Sequence, residues 1–154
     1  MSTLSRFRKP NGLFQLVKLI ESSEPEKRRQ LLNLIAKEDP GWAHMVHIKA
    51  LTFERICTWP AGILETVLEP IPASLLTALI QLATADEARR VQDCLPRRLQ
   101  KEVDQLNRDR RFTREEKAAA LNRLFTVIRE LQDQRVLVFS NFDPALDIDL
   151  RLAG

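Results

Sequence analysis

The chain has 154 residues, 44% of them hydrophobic and 29% charged, the composition of a globular domain that buries roughly 68–70% of its unfolded surface. Lys and Arg number 24 against 21 Asp and Glu, and so small an excess does not demand nucleic acid. Two isolated cysteines, Cys57 and Cys94, exclude a disulfide framework and suit a reducing compartment.

The N-terminal stretch "MSTLSRFRKPNG" carries Arg6, Arg8 and Lys9 with no apolar run behind them, so neither a signal nor a transit peptide is expected. Helical periodicity then predicts helices over 11–21, 24–37, 40–57, 60–69, 72–83, 85–94, 96–108 and 114–134. Three capping boxes mark starts: Ser23 with Glu26, Thr84 with Glu87, and Thr113 with Glu116. Pro40, Pro60, Pro72 and Pro96 mark others, because a first-turn proline forfeits no helical hydrogen bond. Leu13, Leu16, Val17 and Ile20 share one face of the first helix, and Leu121, Leu124, Phe125, Ile128 and Leu131 one face of the last. Connections this short make consecutive helices neighbours, as in armadillo-like stacks. The most apolar run, 75–83, is far shorter than the ~20 residues that span a bilayer, so no membrane insertion is expected. The end of the chain changes period. "RVLVFS" and "LDIDLRL", the latter with Leu146, Ile148, Leu150 and Leu152 on one face, predict a small β-hairpin around "NFDP", with a tail that orders against a partner as its rival.

Chemistry-bearing constellations are scarce. His44 and His47 share a helix face, and with Cys57 or Cys94 they could in principle ligate zinc, but the spacing is not that of a structural site. The four glycines form no phosphate loop and there is no Gly-x-Ser-x-Gly turn. Paired Glu115 and Glu116 stand at a helix start, where cap and dipole account for them. The expectation is a non-enzyme with no cofactor, no metal and no small-molecule substrate. The basic pairs at 89–90 and 97–98 and "RDRR" at 108–111 raise a nucleic-acid reading. Acidic residues are interleaved with them throughout and the chain has no Tyr, which leaves protein–protein electrostatics as the functional reading.

The stretch "EDPGWAHMVHIKALTFERI" resembles the linker helix of the flagellar motor switch protein FliG, which typically opens Glu-Asp-Pro and closes Met-Phe-x-Phe. "ILETVLEPIPASLLTALIQLATADEARRVQDCLPRRLQKEV" is similar to the first helices of that family's C-terminal region, "LFTVIRELQDQRVLVF" to its closing helix, and "LVKLIESSEPEKRRQLLNLI" to the end of its middle region. The resemblance covers residues 13–139. It implies an all-α, armadillo-like scaffold at the cytoplasmic face of the flagellar basal body, with FliM, the stator protein MotA and neighbouring copies as partners. The family's Met-Phe-x-Phe falls on 50–53, where Phe53 matches and Ala50 and Leu51 depart. Of the family's charged helix Arg98 survives; Gln81 stands where a Lys is usual, and Asp104, Gln105 and Leu106 replace a basic residue and an acid pair. A reduced relative, or a stand-alone helical adaptor in another assembly, fits those departures.

The residues themselves place a corner at Thr58-Trp59-Pro60-Ala61-Gly62, where Pro60 disfavours helical geometry at Trp59 and Gly62 weakens the next helix. The expected organisation is therefore an N-terminal helical unit with its linker helix over 11–57, a second unit over 58–139, and an extended tail over 140–154. Leu51, Phe53, Pro60 and Gly62 are the candidate hinge and protein-binding residues. Arg97, Arg98, Lys101 and Asp104, outside a stripe of Leu95, Leu99, Val103 and Leu106, form the candidate partner-facing helix.

Overall fold

The computed structural model describes residues 4–148. Among them the fold is all-α, with nine α-helices: α1 Gly12–Ser22, α2 Pro25–Glu38, α3 Pro40–Lys49, α4 Phe53–Ile56, α5 Ala61–Leu68, α6 Ala73–Leu82, α7 Ala85–Asp93, α8 Arg97–Asp109 and α9 Arg114–Asp133. Short 3₁₀ turns occupy Ser5–Phe7, Phe139–Asn141 and Pro144–Leu146. The chain forms two compact units, one running to Thr52 and resuming at Phe139, the other spanning Phe53–Val138.

The first unit packs α1 against α2 and α3. Its core is the predicted stripe Leu13, Leu16, Val17 and Ile20, joined by Ile35 from α2, Val46 from α3 and the capping pair Leu4 and Phe7. The end of the chain returns here. The turn at Pro144–Leu146 lies against α3, Phe139 and Leu146 are fully buried, and Lys49 Nζ donates to the Asp147 carbonyl. Each such apolar side chain removed from water contributes roughly 1.5–3 kcal/mol.

The second unit is built round α6. Its sequence "ASLLTALIQL" has no charge, and Leu76 through Ile80 are all buried, with α7, α8 and α9 packed about them. Thr77 is carried into this core at no polar cost, because its hydroxyl donates to the Ala73 carbonyl at 2.7 Å. α9 supplies Leu124, Phe125, Val127 and Ile128 and receives α5 on its flank.

Four expectations are corrected. The single helix over 40–57 is two, because Ala50 turns extended (φ −76°, ψ 140°) and ends α3 before α4 begins at Phe53. Ser23 is not a cap: Pro25 occupies the first turn and fixes the start of α2, so Glu24 takes the cap position and the Ser23 hydroxyl donates back to the Leu19 carbonyl at 2.8 Å. Pro60, Pro72 and Pro96 sit one residue earlier than a first turn, as N-caps whose carbonyls accept the first helical bonds from Leu64, Leu76 and Gln100, each at 3.0 Å. No strand forms among the described residues. In place of the β-hairpin, "VFSNFDPAL" makes two 3₁₀ turns, held by Asp143 N–H to the Phe139 carbonyl at 2.7 Å and by an edge-on contact of Phe139 with Phe142. Leu150 and Leu152 of the expected second strand lie outside the described residues. The capping boxes at Thr84 and Thr113 form as read.

Candidate partner-binding surface

α8 is the most amphipathic helix by sequence, and its inner face is held by amides as well as by apolar contact. Leu95 and Val103 are buried, and Leu99 and Leu106 half-buried. Gln100 Nε2 donates to the carbonyls of Gln92 at 2.8 Å and Leu95 at 2.9 Å, adding to the Leu95 N–H bond that the Gln92 carbonyl already accepts at 3.1 Å. Gln92 Nε2 in turn donates to Asp104 Oδ1 at 3.0 Å. At the far end Gln81 of α6 does the equivalent. Its Nε2 donates to Asn107 Oδ1 at 3.0 Å and to the Arg110 carbonyl at 2.7 Å, while its Oε1 accepts from the Phe112 N–H at 2.8 Å. The Arg110 guanidinium stacks over the Phe112 ring at 4.4 Å and pairs with Glu116. α8 is thus fixed at both ends.

That leaves a polarised outer face. Arg97, Arg98 and Lys101 are exposed and make no ion pair or side-chain hydrogen bond among the described residues. Asp104, grouped with them by sequence, is half-buried and engaged with Gln92. The last turn is occupied with itself: Arg108 donates to Gln105 at 3.0 Å and Gln105 to Asp109 at 2.9 Å. The unspent positive charge is therefore concentrated in the first half of the helix.

The candidate hinge residues separate into different settings. Leu51 is fully buried in the first unit, and its N–H donates to Oε1 of Glu21, a carboxylate only 3% exposed, at 2.8 Å. In a continuing helix that N–H would serve the carbonyl of His47; the Glu21 carboxylate takes it instead and stabilises the break after α3. Arg28 lies beside it, donating to the carbonyls of Ile20 and Glu21, each at 3.1 Å. Burial lowers the Arg28 pKa and the Glu21 charge opposes that shift. Phe53 opens α4 in the second unit and is buried. Pro60 caps α5, and Gly62 is exposed in its first turn. The corner between them is internal to the second unit, with Trp59 1% exposed and its carbonyl accepting from Arg90 Nη2 at 2.7 Å. Sequence does not single out Glu21, Gln92 or Gln100, and marks Gln81 only as a departure from a family Lys and Arg90 only as one of a basic pair, since nothing in a local window shows which distant group a long polar side chain will meet.

The cysteines are poor nucleophiles. Burial pushes the Cys57 thiol up to about 12, with the Glu87 charge adding to it, and burial raises Cys94 likewise. His44 and His47 are exposed on α3, and among the described residues no three His, Cys, Asp or Glu side chains converge to hold a metal. No helix among them is long and apolar enough to cross a membrane.

No protein-family model matches the chain, and no curated protein sequence does. Solved structures do. Residues 116–343 of FliG from H. pylori superpose with a TM-score of 0.53 at 16% identity, over 83% of this chain and 57% of that one. Full-length FliG from Aquifex aeolicus gives a TM-score of 0.50 at 20% identity, over 82% of this chain and 40% of that one. The chain has a FliG-like helical fold and spans about half the length of these structures.

Proposed function

We propose that the protein is a non-enzymatic interaction scaffold of the FliG type, acting in a flagellar motor assembly on the cytoplasmic side and meeting its partners through the first half of α8. The observation that carries this reading is the set of three unpaired cations, Arg97, Arg98 and Lys101, on a helix clamped at both ends by Gln100 and Gln81. Exposed charges contribute little to stability but steer encounter and choose partners, and a clamped helix presents them without a backbone ordering cost on binding. The partner implied is an acidic protein surface. Switch and stator proteins such as FliM and MotA, and further copies of the chain, are the candidates that the family resemblance implies. Residues 50–52, which hold Leu51 buried in the first unit and lead into Phe53 buried in the second, serve in this reading as the hinge.

Reversing Arg97, Arg98 and Lys101 to Glu is expected to leave the melting curve unchanged and to abolish capture of switch or stator proteins in a pull-down. Capture that survives the triple reversal removes α8 as the contact. Spin labels at residues 44 and 74 test the hinge, and a single narrow distance distribution unaltered by any captured partner eliminates it.

A second reading, a helical adaptor in a different assembly, is favoured by one observation. Gln81, where the resemblance expects a partner-facing Lys, is consumed by the loop clamp. Neighbouring genes without motility components would select this reading.

A further inference from the structure

A second surface of opposite sign lies where α5 and α7 end. A cavity of about 380 Å³ opens there, lined by Glu65, Leu68 and Glu69 from the end of α5 and by the stretch Asp93–Cys94–Leu95–Pro96, with Leu99 from the first turn of α8. Its floor is apolar. Leu68, Cys94 and Leu95 are buried, while Pro96 is exposed and Leu99 half-exposed, so apolar surface remains open to a visitor. Its rim carries the exposed carboxylates Glu65, Glu69 and Asp93, none with an ion pair or side-chain hydrogen bond among the described residues.

The placement of those acids works against the fold. Helix C-termini carry partial negative charge and favour Lys or Arg in the last turn. α5 has no basic residue in its last turn and is followed by Glu69, and α7 closes on Asp93. The basic residue that α7 does have there, Arg90, is turned to the Trp59 carbonyl. Round one apolar hollow, two helix C-termini and three carboxylates thus outweigh the partial positive charge of the α8 N-terminus that begins at Pro96, in a chain whose net charge is +3. A cationic visitor would relieve that field, and the hollow has the size of a small binding pocket.

We infer that this cavity is a docking site for a protein segment presenting an apolar side chain next to Lys or Arg, the apolar group entering over Leu68 and Leu99 and the cation lying among Glu65, Glu69 and Asp93. The inference does not depend on the basic face of α8, because that face would select an acidic partner.

The probe is an acetylated, amidated pentapeptide with leucine between two arginines, titrated into the isotopically labelled full chain while backbone amide shifts are followed. Saturable shifts confined to residues 65–69 and 93–99 are expected, with no response to the same peptide carrying glutamates for the arginines or serine for the leucine. The combined variant Glu65→Gln, Glu69→Gln, Asp93→Asn is exposed-to-exposed and is expected to keep its melting curve and to bind about tenfold more weakly. Absence of saturable shifts, equal binding of the glutamate peptide, or undiminished binding by the variant overturns the proposal. Sedimentation of the chain alone provides the remaining arm: self-association abolished by the same variant would make a second copy the occupant and overturn the assignment to a separate partner.

Discussion

Glycine at position 12 and glycine at position 62 show how much one residue's surroundings decide. Gly12 opens α1 after Asn11, which adopts the left-handed region at φ 69°. A Cβ added at Gly12 would stand 1.7 Å from the carbonyl oxygen of Phe7, a backbone atom with no rotamer to yield. Gly12→Ala is therefore expected to displace the Ser5–Phe7 turn and to destabilise the protein by roughly 3 kcal/mol, read as a lower urea midpoint. At Gly62 a Cβ meets nothing within 4 Å, and Gly62→Ala should raise stability by roughly 0.4–1 kcal/mol through the unfolded chain's lost freedom. A drop on Gly62→Ala would mean that the first turn of α5 must open in the native state, as the hinge reading of this corner supposed. Sequence marked Gly62 through its neighbour Pro60 and passed over Gly12. The close approach that makes Gly12 necessary is between backbone segments, and leaves no trace in periodicity.

At the scale of elements, most helices were legible because their ends are written in local chemistry, as α9 shows. At its start Thr113 Oγ1 accepts from the Glu116 N–H at 3.1 Å and Glu116 Oε1 accepts from the Thr113 N–H at 3.0 Å. These backbone contacts at Thr113, with Arg110 adding its charge, hold the Glu116 carboxyl below its ordinary 4.5. A carboxylate whose folded value is depressed stabilises the fold above its unfolded value and ceases to do so as pH falls through the folded one. Glu116→Gln keeps the cap but does not titrate. The wild type should therefore melt higher than Glu116→Gln at pH 7, and the gap should close in acid below about pH 4.5. A gap constant from pH 7 to pH 3 would rule out the charge as its source. The other end of α9 was not legible. Val136 N–H donates to the Leu131 carbonyl at 2.9 Å and Arg135 N–H to that of Gln132 at 3.0 Å, the Schellman pattern, with Arg135 at φ 61° where glycine is usual. Arg135→Gly should stabilise by about 1 kcal/mol in thermal unfolding. The α3–α4 break has no local signal for a similar reason: Glu21, remote in sequence, supplies the acceptor for the Leu51 N–H just past the end of α3.

For the molecule as a whole, helical class and consecutive packing followed from periodicity and short connections, but the closure of the first unit did not. Local pattern identifies apolar faces without saying which distant face covers them, so 140–154 read as a tail or hairpin arm. Leu146 of that stretch is instead fully buried, as is Phe139, which the expected boundary placed in the second unit, and the unit containing both is assembled from both ends of the chain. The second unit is continuous from Phe53 to Val138 and has its own core in α6, α8 and α9. The two should accordingly differ when cut free. A fragment of residues 53–138 is expected to melt cooperatively by circular dichroism, since it retains every wall of that core. A fragment of residues 1–52 lacks Phe139 and Leu146 and is close to the length, below about 40 residues, at which chains stop folding without added support. It should be largely unfolded alone, and should regain a cooperative transition when 139–154 is joined to it through a flexible linker. Cooperative melting of 1–52 by itself would show that the returning segment is an addition to that core. Loss of cooperativity in 53–138 would show that the second unit depends on the first for its stability.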